Sequence, residues 1–157
     1  MASLLDPQAL LEVMEGNRRL TLRTIEAFPE DALFNFRPAE AMRPFAEMVR
    51  EILNMEADYV RGIATGEWRL EDSCAGVRTK ADLLAACHRV RERTRELWPR
   101  VTVERLLQVE RDPFWDGPPQ SHFERLLYTL ENEIHHRGQA YVYLRMLGIE
   151  PPAFYER

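Results

Sequence analysis

Three polar side chains of ligand type interrupt helical stripes that face a core. Glu51 lies in the series Met48, Glu51, Met55, Tyr59, and Asn132 and His136 lie in the series Thr129, Asn132, His136, Gln139, Tyr143. Both series step by three and four residues, the repeat of one helical face, so these side chains point at or beside a core. A buried carboxylate, amide or imidazole is costly unless it meets a partner or a ligand. A carboxylate on one helix facing an amide and an imidazole on another could hold a divalent metal, with Zn, Fe, Ni or Mn suited to such donors. The competing reading is structural: Glu51 pairs with Arg137 or another arginine, and His136 is a core histidine with its hydrogen bonds satisfied. A di-metal centre is disfavoured. Glu133 and His136 supply one Glu-x-x-His, whereas a carboxylate-bridged metal pair needs that motif twice plus two more carboxylates.

The remaining reactive side chains offer less. His135 is turned by about 100° from His136 around a helix, so one of the two faces inward. His122, at the start of the same helix, is expected to be exposed. Cys87 falls on a buried stripe and reads as a small hydrophobe. Cys74 and Cys87 are too few for a disulfide framework and read as isolated thiols of a reducing compartment. There is no Ser-His-Asp arrangement and no Gly-rich phosphate loop.

The elements that position these residues read as four long amphipathic helices. Asp6 caps the first, Pro7 fits its first position, and Pro29 ends it near Phe28. The second runs from about Pro44 to Ala64 and stops at Gly66. Thr79 with Asp82 forms a capping box for the third, which Pro99 terminates. Ser121 with Glu124 forms another for the fourth, which runs to about Leu147 and Gly148. Residues 30–43 and 67–78 read as loops, and 101–111 as a short helix or an extended arm. Residues 112–120 read as a loop, and Pro151-Pro152 begin an exposed tail. No strand is expected. The fold expected is all-α, a four-helix bundle in a single domain spanning 1–157.

Composition agrees. The chain has 157 residues, 45% hydrophobic and 30% charged, the make-up of a globular domain with one sizeable core. The net charge of −5 argues against nucleic acid as a partner, because phosphate binding needs clustered positive charge. No apolar run approaches the roughly 18 residues of a membrane span, and residues 1–6 lack the pattern of a signal peptide. A cytoplasmic, soluble protein is expected.

The fourth helix carries a family likeness. Glu133-Ile134-His135-His136-Arg137-Gly138-Gln139, then Tyr143-Leu144-Arg145 and Gly148-Ile149-Glu150-Pro151-Pro152, resembles the DinB-like family of bacterial four-helix bundles. Met42-Arg43-Pro44-Phe45-Ala46-Glu47 resembles the stretch before that family's first metal ligand. The resemblance implies a site for one divalent metal held by three histidines, at the positions of Glu51, Asn132 and His136 here. Two of the three are replaced. A Glu/Asn/His set would bind more weakly and shift selectivity toward oxygen-loving metals.

The resemblance further implies a metal-dependent hydrolase, or a transferase joining a low-molecular-weight thiol to a small-molecule electrophile. A metal with an open position would activate the water or thiol. Such an enzyme should have a cavity lined by Glu51, Asn132 and His136 and overlooked by Tyr59, Phe114 and Trp115. The alternative is a non-catalytic stress-response bundle that binds a small ligand or partner, with Glu51 and His136 hydrogen-bonded to each other. A third reading is a structural homodimer joined through an exposed helical face. Arg137 is expected to pair bidentately with a carboxylate on a neighbouring helix, and Gln139 to support the site.

Overall fold

The computed structural model describes residues 6–157, so the N-terminal reading of residues 1–5 lies outside it. Helix α1 (Pro7–Ala27) opens where the Asp6 carboxylate accepts from the Gln8 amide at 2.9 Å. Helix α2 (Glu30–Asn35) is a short turn of helix inside the segment expected as loop, with Leu33 anchoring it in the core. Helix α3 (Phe45–Thr65) ends at Gly66, whose φ of 79° is the left-handed value that favours glycine. Both capping boxes form, Thr79 with Asp82 at α4 (Lys80–Leu97) and Ser121 with Glu124 at α6 (His122–Met146).

The stretch between α4 and α6 combines both readings left open for it. A 3₁₀ turn (Trp98–Arg100) leads into α5 (Val103–Leu107), then β1 (Val109–Glu110) pairs antiparallel with β2 (Gln120–Ser121). This small ladder corrects the expectation of no strand. It clips together the ends of loop 111–119 and lets Phe114 pack edge-on against Tyr59 and Trp68. The tail also differs from expectation at its start, because Pro151 is buried.

Helices α1, α3, α4 and α6 form the bundle. Its interior has two apolar clusters, one around Phe28, Phe45, Val49, Leu83 and Tyr143, the other around Met14, Tyr59, Leu97, Trp98 and Leu126. Between them every long helix contributes a charged residue: Arg18, Glu56, Arg91 and Glu133, each at most 3% exposed. Arg18 donates to Glu56 Oε2 at 2.6 Å and to Glu133 Oε1 at 3.0 Å. Arg91 donates to both Glu56 oxygens at 2.8 and 2.9 Å, and the Thr94 hydroxyl adds a bond to Oε1 at 2.7 Å. Burial pushes the Glu56 carboxyl up, but Arg18 and Arg91 outweigh it and hold it well below the usual carboxylate range.

Arg137 is buried beside this layer. It donates to the Asn17 carbonyl at 2.9 Å and to Asn17 Oδ1 at 2.8 Å, not to a carboxylate. The carboxylate within reach, Glu133, is already held by Arg18 and by the Thr21 hydroxyl. Arg137 therefore ties α6 to α1, but through an amide and a main-chain oxygen.

Candidate functional site

Helices α3 and α6 bring Glu51, Asn132 and His136 together. Glu51 Oε1 accepts from Asn132 Nδ2 at 2.9 Å and lies 3.0 Å from His136 Nε2. Glu51 Oε2 accepts from Arg43 Nη1 at 2.7 Å. Asn132 and His136 are buried, while the Glu51 side chain keeps 35% exposure. Burial pushes the Glu51 carboxyl up, but the bonds from His136, Asn132 and Arg43 prevail and hold it at about 2. An anionic Glu51 has only acceptor oxygens, so His136 carries a proton on Nε2 and donates it. Arg43, not Arg137, is the arginine that Glu51 takes. Of the two adjacent histidines, His136 faces in and His135 out, where His135 meets the Gln139 side chain at 3.1 Å.

These residues do not fit a divalent metal well. Glu51 and His136 are two good donors, and among the described residues no three His, Cys, Asp or Glu side chains gather for an ion. Glu51 is already neutralised by Arg43, and Asn132 presents its N–H₂ while its Oδ1 is buried without a partner. A neutral amide is a poor third ligand for a transition metal.

Glu51 forms part of the wall of a cleft of about 1110 Å³. Tyr59, Phe114 and Trp115 line it as expected, and Phe34 and Tyr128 add two further rings. Asn132 and His136 do not line it; they hold Glu51 from behind. The cleft follows α3 from Ala46 to Tyr59, about 20 Å at the helical rise.

A second polar cluster closes the Tyr59 end. The Tyr59 hydroxyl donates to Asp112 Oδ2 at 2.6 Å, and Arg125 Nε donates to the same oxygen at 3.3 Å. Arg125 Nη1 lies 2.8 Å from His122 Nδ1, so that nitrogen is the unprotonated acceptor. His122 is fully buried, which corrects its expected exposure: Trp68 stacks on its ring at 5.6 Å, and the β1–β2 ladder covers the start of α6. Gly62 makes room for Trp68, since a Cβ there would collide with the indole. Burial, with Arg105 and Arg125 nearby, pushes the His122 imidazole down to about 4. Arg43, Asp112 and Arg125 had no assigned part in the sequence reading. Arg43 stood in the recognised stretch 42–47, whereas Asp112 sits in a loop with no periodicity to read.

A model of the DinB family matches residues 1–157. The crystal structure of a DinB-like protein, YjoA from Bacillus subtilis, is similar to this chain at 25% identity and a TM-score of 0.74. The match covers 95% of this chain and 98% of that one. No curated protein matches. No described helix is long and apolar enough to cross a membrane.

Proposed function

This chain belongs to the DinB family, and on that premise we propose that it binds a small molecule in the Glu51–Tyr59 cleft without the help of a metal. The Glu51 carboxylate carries this reading: the three hydrogen bonds it accepts all come from the protein's own N–H groups, and its exposed edge stays open. His136 and Asn132 fix its direction from behind, and Arg43 compensates its charge. The exposed part of Glu51 is then a preorganised acceptor in the wall of an aromatic-lined cleft. Such a wall suits a planar or branched apolar molecule that carries a hydrogen-bond donor to meet Glu51.

The enzymatic reading, a metal-dependent thiol transferase or hydrolase using Zn, Ni, Fe or Mn, asks more of the site. Arg43 must release Glu51, and Asn132 must turn its amide oxygen toward the carboxylate. The partnerless Asn132 Oδ1 is the observation in its favour.

Elemental analysis of protein purified without a histidine tag separates the two. Substoichiometric metal after dialysis is the expected result; one tightly held ion per chain would overturn the proposal. Asn132→His supplies the missing imidazole at a spacing of four residues and should raise Zn or Ni affinity over the parent chain. If titration shows no gain, the three positions do not converge as ligands.

A further inference from the structure

The cleft along α3 carries one negative charge that the described residues do not answer. Its charged lining side chains are Arg43, Glu47, Arg50, Glu51, Asp58 and Arg125. All but Glu47 are paired. Arg43 holds Glu51 at 2.7 Å, Asp72 holds Arg50 at 3.4 Å, Arg61 holds Asp58 at 2.7 Å and Asp112 holds Arg125 at 3.3 Å. Glu47 is exposed, and no basic side chain among the described residues pairs with it. Two arginines flank it in sequence. Arg43, four residues before it, passes it for Glu51, and Arg50, three residues after it, turns to Asp72.

Glu47 and Glu51 are one turn apart on α3, so their side chains are neighbours on the wall of the cleft. Like charges at that spacing repel unless a cation stands between them. The open acceptor sites can be counted. A carboxylate oxygen has two lone pairs. Glu51 Oε1 spends both on Asn132 and His136, and Glu51 Oε2 spends one on Arg43. One site is left on Oε2, and every site is left on Glu47. The group that fills them must bring several N–H donors and one positive charge. A primary ammonium brings three donors and that charge, whereas a hydroxyl brings one donor and no charge. The rings of Tyr59, Phe114, Trp115 and Tyr128 line the same cleft. Their faces attract an organic cation and bury its apolar body, and a hydrated metal ion has no apolar body to bury there.

We propose that the cleft takes a small organic cation, a primary amine on an apolar or aromatic body, with its ammonium between Glu47 and Glu51. This rests on the reading of the cleft as a small-molecule site and names the class of molecule.

Three probes of similar size test it. Phenylethylamine, phenylethanol and phenylacetate place a cation, a neutral hydroxyl and an anion on the same ring. Amide chemical shifts of the full chain, isotope-labelled and titrated near neutral pH, report binding in residues 43–59 and 112–128. The amine should bind about tenfold or more tighter than the alcohol, the scale of one hydrogen bond between charged groups, and phenylacetate should bind weakest. Glu47→Gln should lose about that factor for the amine and leave the alcohol as it was. Glu47 is exposed and ties no other element, so the melting temperature of E47Q should match the parent. Equal affinity for amine and alcohol, or an amine affinity that E47Q does not change, overturns the cation and keeps the cleft as a ligand site. So does a chain that ignores the amine while neutral aromatic fragments still shift the cleft amides. If neither the probes nor such fragments shift them, both readings fall.

Discussion

Two carboxylates on α3, five residues apart, meet different fates. Glu56 is 2% exposed and takes bonds from Arg18, Arg91 and Thr94, on α1 and α4. Glu51 is partly open and takes bonds from Arg43, Asn132 and His136, with one edge left on the cleft. Both are held anionic by similar donors, yet one is sealed among four helices and the other borders open space. The chemistry of the group does not decide its use; the number of sides enclosed does. The sealed layer specifies how the helices register, since sliding one helix by a turn would strand a charge in an apolar cluster.

The sharpest way to break this contrast is Glu56→Gln. It leaves the buried Arg91 with only the distant Glu15 carboxylate at 3.8 Å, and Arg18 with Glu133 alone, at a cost of about 3–5 kcal/mol. Scanning calorimetry should show a melting temperature lower by roughly 6–20 °C for a chain of this size. A loss comparable to that of Glu51→Gln, an exposed-class pair worth about 1 kcal/mol or less, would erase the distinction.

Arg137→Ala tests an intermediate case. No carboxylate is stranded, because Glu133 keeps Arg18 and Thr21. The Asn17 oxygens lose their charged donor, so the expected loss is about 1–3 kcal/mol, read as a lower urea midpoint. Ligand binding in the cleft should persist in the folded variant. Lost binding with unchanged stability would give Arg137 a direct part in recognition instead.

Acid should separate the Glu51 cluster from the His122 cluster. His122 titrates lower in the folded chain, about 4 against an ordinary 6.5, so the unfolded chain binds the proton more readily. Its contribution is present above pH 6.5 and lost as pH falls toward 4. Glu51 is depressed from 4.5 to about 2, so its contribution holds above 4.5 and fades below. Stability measured from pH 7 to 3 should therefore decline in two stages. Replacing His122 with Asn should flatten the upper stage alone, and Glu51→Gln should soften the lower one while leaving the share that belongs to Glu56.

How much of this was legible in the sequence follows from what is local. Caps, helix ends and the convergence of Glu51 with Asn132 and His136 depend on spacing along one helix at a time, and spacing is visible. The charged layer left a comparable trace. Arg18 falls between Met14 and Thr21 on one stripe, Glu56 between Leu53 and Val60, and Arg91 between Cys87 and Thr94. In helices so rich in arginine and glutamate, a buried charge looks like its solvated neighbours until its partner on another helix is known. His122 and Asp112 were illegible for another reason. Trp68 and Tyr59, which surround them, are distant in the chain, and the adjoining β1–β2 ladder, at two residue pairs, is too short to show a strand period.

That ladder has a consequence for the time scales on which the molecule opens. Phe114 and Trp115, which close the aromatic side of the cleft, ride on a loop fastened by two residue pairs and by the Asp112 carboxylate. Separating those fastenings exposes little apolar surface compared with separating the long helices. The free energy of local opening is accordingly far below that of global unfolding. Amide hydrogens of 109–121 should exchange with solvent long before those of α3 and α6. A molecule can thus reach or leave the cleft through fluctuations of this loop while the four-helix frame stays closed.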